Sequence, residues 1–270
     1  MSWAGLHGDH HVHSRFSDDA ESTLAENAST ARAVGLSELR LVDHVRTSTA
    51  WVPEFLAAVA ALSTAEERAR SGDRPELIIR SGVEAKILDS TGRLDLPAGL
   101  TTGSRNDQVD RVLIADHQYP GPGEPWSPSK VLAERAAGLS SATVLDTLVH
   151  ATIRAMHQVE HAQLAHPFSL LPKIGLSEDD LLDDHLIALG SAAAATGTWV
   201  EVNEKWGCPG SRVIRAFDQI GVILVAATDS HHCRDVGQYE RVAELTAHLL
   251  PLPGGAVPGP EPAGTGGPNR

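Results

Sequence analysis

Two histidines near the amino terminus, His11 and His13, are the first residues whose types and spacing could do chemistry. Residues two apart on a β-strand point to the same face, so both imidazoles would leave one strand side by side. An acidic pair, Asp18 and Asp19, follows them in a turn. Neutral imidazole and carboxylate are the usual protein ligands of zinc, manganese and iron, so this stretch predicts the beginning of a metal site.

The same residue types recur at the ends of later predicted strands. In chain order they are His44, Glu84, His117, His166, Asp229 and His231, and the sixth predicted strand carries Glu201 and Asn203. All strands of a parallel barrel open on one face at their carboxyl ends, where active sites lie, so residues from 11 to 231 would converge there. A cluster this rich in His and carboxylate, without Cys, suits two or three divalent ions. Such ions can share a nucleophilic hydroxide and hold the oxygens of a phosphoryl group.

Strands and helices alternate about seven times along the chain, which favours a parallel α/β architecture and a closed barrel. The predicted strands cover 8–12, 38–42, 76–83, 108–115, 163–165, 198–202 and 222–227. The predicted helices cover 21–34, 53–70, 129–160 (two helices broken near Gly138), 178–195, 209–220 and 235–249. A small hairpin is expected over 87–96 and a Pro/Gly-rich loop over 119–128. These elements are expected to form one barrel domain, residues 1–250, and the Pro/Gly-rich residues 251–270 are expected to be a disordered tail.

Composition narrows the class of protein. The formal net charge of −13 repels phosphate backbones at long range and argues against dedicated nucleic-acid binding. Two cysteines are too few for a disulfide framework or a thiolate zinc site. The sequence shows no signal-peptide pattern and no apolar run long enough to span a membrane, so a soluble, cytoplasmic protein is expected.

Taken together, the motifs resemble those of the PHP (polymerase and histidinol phosphatase) family. They are Asp-x-His-x-His-Ser at 9–14, Phe-Ser-Asp-Asp at 16–19, Asp-His at 43–44, Gly-Val-Glu at 82–84, His-Pro at 166–167, Glu-Val-Asn at 201–203 and Asp-Ser-His at 229–231. The resemblance covers about residues 8 to 250. It implies a distorted seven-stranded TIM-like (β/α)7 barrel with a trinuclear site for zinc, manganese or iron.

Carried over position by position, the resemblance implies a set of metal ligands. They are His11, His13, His44, Glu84, His117, His166, Asp229 and His231, with Glu84 bridging two metals. One more ligand is expected from the turn after the first strand. Asp19 is favoured because histidinol-phosphatase-like members place a ligand six residues after the second His, and Asp18 is the alternative.

The implied activity is hydrolysis of a phosphomonoester of a small, histidinol phosphate-like metabolite by a metal-bridging hydroxide. Asp229 or His231 could protonate the leaving alkoxide. Four cations near strand ends are candidates to bind phosphate: Arg15, Arg46, Lys205 and Arg234, of which Arg15 and Lys205 lie closest to ligand motifs. Two acids are candidates to orient ligands by hydrogen bonds: Asp43 and Asp9.

Departures from the family pattern bear on the substrate. Asn203 is followed by Glu-Lys-Trp-Gly rather than by the small residues and Arg of histidinol phosphatases, and His10 stands where an apolar residue is usual. Two other readings stay open, a phosphodiesterase or nuclease and a non-catalytic binding protein. His157 and His161 are four residues apart on a predicted helix, but no acid accompanies them, which favours a solvated helix face over a zinc pair.

Overall fold

Seven parallel strands organise the computed structural model, which describes residues 3–69 and 76–249. The predicted tail, residues 251–270, lies outside the described residues. The strands of the main sheet are β1 Gly8–Val12, β2 Glu38–His44, β3 Ile78–Lys86, β4 Arg111–Ala115, β7 Ala162–Ala165, β8 Trp199–Asn203 and β9 Leu224–Ala227. A separate antiparallel pair is formed by β5 Tyr119–Pro120 and β6 Pro125–Trp126.

The main sheet is ordered β1-β2-β3-β4-β7-β8-β9 and curls into a nearly closed barrel. The first and last strands meet just beyond their ends, where the backbone N–H of His13 donates to the carbonyl of Ser230 at 2.8 Å. A parallel ladder places His44 of β2 opposite Glu84 of β3. Because all seven strands run the same way, their carboxyl ends share one mouth, as the sequence predicts.

Helices connect the strands and pack outside the barrel. They are α1 Leu24–Ala33, α2 Val52–Ala69, α3 Pro128–Ala136, α4 Ser141–Met156, α5 Asp183–Thr196, α6 Ser211–Ile220 and α7 Arg241–Thr246. Local sequence sets their ends: Thr23 and Glu26 form a capping box that starts α1, and Gly197, at φ 66°, ends α5. The break near Gly138 between α3 and α4 is confirmed.

The barrel has an outer and an inner apolar layer. Strand residues such as Leu39, Leu41 and Leu164 join helix residues such as Phe217 in the large outer core. A small inner cluster of Val42, Leu113, Ala115 and Ala165 fills the barrel. Because Val42 precedes His44 by two residues, both side chains lie on the same face of β2. The inner cluster therefore underlies the polar residues at the mouth.

Two predicted helices are wrong in extent. Residues 178–195 split into a 3₁₀ turn, Glu178–Asp180, and α5, because Arg212 binds the carbonyls of Glu178 and Leu181 that a continuous helix would use. Residues 235–249 contribute only the short α7. Gly237, whose φ is 69°, interrupts the predicted helix before α7, and its N–H donates a hydrogen bond to Asp9.

One smaller segment differs from expectation, since the predicted loop 119–128 contains the β5–β6 pair. The predicted small hairpin over 87–96 is confirmed by an antiparallel bridge between Ile87 and Leu94, with the Leu88 N–H donating to the Arg93 carbonyl at 2.7 Å and the Asp95 N–H to the Lys86 carbonyl at 3.0 Å. Within residues 3–69 and 76–249, no helix is both long enough and apolar enough to cross a bilayer.

Candidate metal centre

Glu84 is the centre of the polar cluster at the barrel mouth. Its side chain is almost fully buried, and five imidazole nitrogens lie within 3.5 Å of its two oxygens. On Oε2 the distances are 2.8 Å to Nδ1 of His44 and 3.5 Å to Nε2 of both His11 and His13. On Oε1 they are 3.1 Å to Nε2 of His117 and 3.0 Å to Nε2 of His166. A carboxylate with donors gathered on each oxygen has the arrangement that a ligand shared by two ions needs.

Asp229 and His231 complete the cluster from the last strand. Oδ1 of Asp229 lies 3.2 Å from Nε2 of His13, and Nε2 of His231 lies 3.3 Å from Oδ2 of Asp19. The same Asp19 oxygen is 3.5 Å from Nε2 of His44. All nine predicted ligands therefore lie in one connected network, although the first and last are more than 200 residues apart in the sequence.

Of the two acids in the first turn, only Asp19 contacts the cluster within the described residues, although both line the cavity beside it. Asp18 pairs instead with Arg46 at 3.4 Å, and both side chains are mostly exposed. Asp19 is half exposed, yet its carboxylate contacts His44 and His231. The geometry favours Asp19 as the turn ligand.

Unusual backbone angles aim two of these side chains. His166 directly follows β7 and Asp229 lies two residues after the end of β9, and their φ values are 31° and 52°. Side chains other than glycine seldom adopt positive φ, and residues held there concentrate at functional sites. The left-handed conformation turns the backbone after the strand and directs the side chain toward the centre of the mouth.

Glu201 is a buried hub beneath the cluster. Its Oε1 lies 2.9 Å from Nδ1 of His11 and accepts the Gln163 amide at 2.8 Å. Its Oε2 accepts the backbone N–H of His166 at 3.0 Å and the Asn203 amide at 3.1 Å. A carboxylate behind an imidazole fixes its tautomer and leaves Nε2 free for a metal. The sequence placed Glu201 on the sixth strand without assigning it this role.

Asp43 is linked to the histidines through serine hydroxyls rather than by direct contact. It accepts the hydroxyls of Ser14 at 2.6 Å and Ser17 at 2.7 Å, together with both backbone N–H groups. The Ser17 hydroxyl also lies 3.2 Å from Nδ1 of His13 and accepts the backbone N–H of His44 at 3.0 Å. The prediction that Asp43 orients His44 is therefore corrected: Asp43 fixes Ser17, and Ser17 contacts both ligands.

Asp9 joins the two ends of the barrel. It accepts the N–H and hydroxyl of Thr228 at 3.0 and 2.6 Å, and the N–H of Gly237 at 2.9 Å. Its contact with His11 is through the backbone N–H at 3.4 Å, so it does not orient the imidazole. Asp9 therefore fixes the strand rather than the ligand.

Electrostatics in the cluster follow from burial opposed by neighbouring charge. Burial disfavours the ionised Glu84 carboxylate, but His117 and His11 outweigh it and hold its pKa well below the usual range. Burial also disfavours the charged His11, yet Glu201 and Glu84 raise its pKa well above normal. For His13 burial prevails and lowers the pKa to about 3, so this imidazole is neutral. The carboxylates are ionised, as metal ligation requires.

The donor set fits divalent metal ions. Three groups of residues in the described chain could each hold an ion, because the ligand atoms within each group lie within 4.8 Å of one another. The groups are His13, His44 and His231; His11, His13 and Asp229; and His44, Glu84 and His117, so His13 and His44 each belong to two of them. Within the described chain, Oε2 of the buried Glu84 has no well-aligned hydrogen bond, despite three nearby imidazole nitrogens. Nε2 of His11 lies 3.0 Å from Nε2 of His13, within hydrogen-bond distance. Ligand atoms gathered this closely could share a common centre, and imidazole with carboxylate suits zinc, manganese or iron.

A cavity of about 370 Å³ opens onto the cluster. Two of the four predicted phosphate-binding cations, Arg46 and Lys205, line it. Arg15 instead donates to the carbonyl of Glu21 at 2.7 Å, and Arg234 pairs with Asp235 at 3.6 Å on the surface. Neither Arg15 nor Arg234 lines this cavity.

Sequence reasoning missed five residues of the cavity wall: Val45, Lys86, Asp95, Gln118 and Trp206. Lys86 could have been found, because it follows Glu84 by two residues and shares its face of the strand. Asp95 and Trp206 lie in irregular segments whose direction no periodicity reveals. The His157 and His161 pair is not on one helix, since α4 ends at Met156.

Known proteins resemble the chain in sequence and fold. No family model matches it. A Vibrio campbellii protein named "Probable phosphatase" is 24% identical over 250 residues, covering 88% of this chain and 82% of its own. A "Probable phosphatase" of Aliivibrio fischeri is 23% identical over 237 residues, covering 88% and 83%.

Solved structures share the barrel. A Listeria monocytogenes protein solved as a candidate histidinol phosphatase has a TM-score of 0.61 at 13% identity, covering 86% of this chain and 97% of its own. The histidinol phosphate phosphatase of Lactococcus lactis, solved with zinc, L-histidinol and phosphate, has a TM-score of 0.57 at 17% identity, covering 90% and 92%. At these identities the likeness shows the fold.

Proposed function

We propose that this chain is a metal-dependent phosphatase that hydrolyses a phosphomonoester of a small metabolite. The position of Glu84 carries the proposal: imidazoles from the ends of four strands gather on its two oxygens at the barrel mouth. A cluster of this kind suits phosphoryl transfer because several cations can be held close together. The names of the Vibrio and Aliivibrio relatives support the same class of reaction.

We propose that the nine predicted ligands would hold the ions, and that Glu84 would be shared between two of the ions. The ligands are His11, His13, Asp19, His44, Glu84, His117, His166, Asp229 and His231. Two or three ions of zinc, manganese or iron held there would supply Lewis-acid chemistry and a water that is nucleophilic at neutral pH. The zinc of the Lactococcus protein supports a divalent ion in this fold.

The leaving alkoxide needs a proton, and the positions of the two candidate donors differ. Both oxygens of Asp229 are engaged, Oδ1 by His13 and Oδ2 by the Trp206 indole N–H at 2.7 Å. His231 is about one-fifth exposed at the cavity edge. We therefore favour His231 over Asp229 as the group that passes a proton to the alcohol, a role in which its imidazole would not at the same time ligate an ion.

Lys205 is the best placed cation for the transferred phosphate. Its ammonium lies 3.2 Å from Nδ1 of His231 and 3.4 Å from Oδ2 of Asp229, at the edge of the ligand cluster. Arg46 lines the same cavity but is more exposed and is paired with Asp18. A lysine can follow the phosphate as a mobile point charge, whereas the guanidinium of Arg46 is already committed.

The test compares esters and metals on purified protein stripped by a chelator. The protein is reloaded with zinc, manganese or iron and assayed on p-nitrophenyl phosphate, its bis ester and histidinol phosphate, the last because the Lactococcus protein binds L-histidinol and phosphate. Glu84→Gln is the test variant. Glu67→Gln, at an exposed position of α2, is the matched control.

Hydrolysis of the monoesters only with metal, abolished by Glu84→Gln and retained by Glu67→Gln, supports the proposal. Activity on the bis ester alone would identify a phosphodiesterase. Full metal loading without turnover of any ester would identify a binding protein. Either result rejects the phosphatase assignment.

A further inference from the structure

We infer that Lys86 selects the substrate, and that the favoured phosphomonoesters carry a second oxyanion on their alcohol half. This inference rests on the proposed phosphatase activity and concerns the part of the cavity away from the metal ligands. The second oxyanion is a carboxylate or a second phosphate. A cationic amino alcohol, such as the alcohol half of histidinol phosphate, would be disfavoured.

Strand geometry places Lys86 at the site. Gly82, Glu84 and Lys86 alternate along β3, so their side chains lie on one face of the strand. Glu84 lies within the metal cluster, and Lys86 is one step nearer the mouth and lines the same cavity. The Lys86 side chain is 29% exposed and lines the cavity, so it can meet a molecule that enters there.

Asp95 directs the Lys86 ammonium without taking up its hydrogen bonds. The backbone N–H and hydroxyl of Thr47 donate to Oδ1 of Asp95 at 2.7 and 2.8 Å, which fixes the carboxylate. The other oxygen, Oδ2, lies 3.8 Å from Nζ of Lys86, beyond hydrogen-bond distance. In the described part of the chain Nζ forms no hydrogen bond. Its three N–H groups therefore point to a ligand that can accept them.

Among the cations that line this cavity, Lys86 is the one whose side chain forms no hydrogen bond within the described residues. Lys205 lies against Asp229 and His231, where it serves the transferred phosphate. Arg46 and Asp18 pair with each other in solvent, where such pairs contribute little. The charge of Asp95 is offset by two Thr47 donors and by Lys86 itself. An incoming anion would thus meet a partly buried cation, whereas an incoming ammonium would meet a like charge.

The experiment compares esters that differ in charge at similar size, using the metal-loaded protein. The panel is 3-phosphoglycerate, whose alcohol half carries a carboxylate; glycerol 1,3-bisphosphate, with a second phosphate; glycerol 1-phosphate, whose alcohol half is uncharged; and O-phosphoethanolamine and histidinol phosphate, whose alcohol halves are cationic. The variants are Lys86→Met and, as control, Lys130→Met, whose lysine pairs with Glu124 away from the cavity. Melting temperature and metal content confirm that both variants are folded and loaded.

Wild-type protein should have a KM for an anionic ester about tenfold or more below that for glycerol 1-phosphate, because hydrogen bonds to charged groups are strong. Lys86→Met should raise the KM for an anionic ester by a similar factor. The KM for glycerol 1-phosphate should stay within about twofold of the wild-type value, and kcat should be nearly unchanged, as expected for uniform binding. Calorimetry with 3-phosphoglycerate should show the same loss of affinity. Comparing the KM for 3-phosphoglycerate with that for glycerol 1,3-bisphosphate shows whether the preferred second oxyanion is a carboxylate or a phosphate.

Two results would overturn the inference while leaving the phosphatase proposal intact. One is hydrolysis of all esters without preference for the anionic ones. The other is an equal rise in KM for neutral and anionic esters in Lys86→Met. Failure of the metal-loaded wild type to hydrolyse any ester would instead reject the phosphatase proposal, and the substrate inference with it.

Discussion

The indole N–H of Trp206 donates a 2.7 Å hydrogen bond to Oδ2 of Asp229. Trp206 is itself held in place, because the Lys173 ammonium lies 4.0 Å from its ring and His166 packs beside it at 5.7 Å between ring centroids. The bond occupies one carboxylate oxygen and turns Oδ1 toward His13 at 3.2 Å. Trp206 is therefore a positioning residue for a predicted metal ligand.

Trp206→Phe is expected to weaken metal binding. The phenyl ring retains the cavity wall but removes the N–H donor, so Asp229 becomes free to rotate. Loss of such a supporting hydrogen bond costs about tenfold to hundredfold in metal affinity. The measurement is the zinc or manganese dissociation constant by chelator competition. Trp126→Phe, on the β5–β6 pair, is the matched control, and equal affinities for the two variants would contradict the positioning role.

Glu201→Gln is expected to destabilise the fold as well as the metal site. Four donors or ring nitrogens face the carboxylate, from His11, Gln163, His166 and Asn203. A glutamine would place an NH2 group against donors whichever way it turned. Leaving buried donors unsatisfied costs about 1–3 kcal/mol, so the free energy of unfolding should fall by at least that amount.

Denaturant unfolding of the chelator-treated protein measures this change without any metal. The control is Glu67→Gln, which makes the same substitution on the exposed surface of α2. A Glu201→Gln protein as stable as the control would show that Glu201 is not the hub that its contacts describe.

Metal binding should stabilise the protein through Glu84. A ligand that binds only the folded state contributes about 4 kcal/mol at a thousandfold excess over its dissociation constant. We expect chelation to lower the melting temperature of the wild type and readdition of zinc or manganese to restore it. Glu84→Gln should lose most of this metal-dependent shift. A shift as large as in the wild type would place the ions elsewhere.

Much of the site could be predicted because the barrel turns sequence position into spatial position. His44, His117 and His166 follow separate strands, and parallel strands bring their ends to one mouth whatever their separation in the chain. The two-residue periodicity of strand side chains also explains why Lys86 shares the cavity with Glu84. These features depend on periodicity and strand order, which a sequence carries.

The supporting contacts could not be predicted, because they depend on loop conformation. Ser17 reaches both His13 and His44 from a turn, and Trp206 reaches Asp229 from the segment after β8. The splitting of the predicted helix at 178–195 has the same cause, since distant Arg212 takes its carbonyls. Tertiary hydrogen bonds of this kind override local preference and leave no periodic signal.

Asp9 predicts a dependence of stability on pH. Burial, only partly offset by the hydrogen bonds from Thr228, raises the pKa of this carboxyl from 3.8 to about 6. Between these values the folded protein holds a proton that the unfolded chain has released, so this group favours folding more as the pH falls. The stabilisation is fully present below the unfolded pKa and is lost as the pH rises through about 6.

Asp9→Asn removes the titration and isolates the effect. In chelator-treated protein, the free energy of unfolding of the wild type minus that of Asp9→Asn should be larger at pH 5 than at pH 7. A raised pKa of this size corresponds to about 1 kcal/mol over that interval. Denaturant unfolding of both proteins at pH 5, 6, 7 and 8 measures the difference. A difference that stays constant, or that grows toward pH 8, would mean that the hydrogen bonds from Thr228 and Gly237 outweigh burial and that Asp9 ionises normally within the barrel.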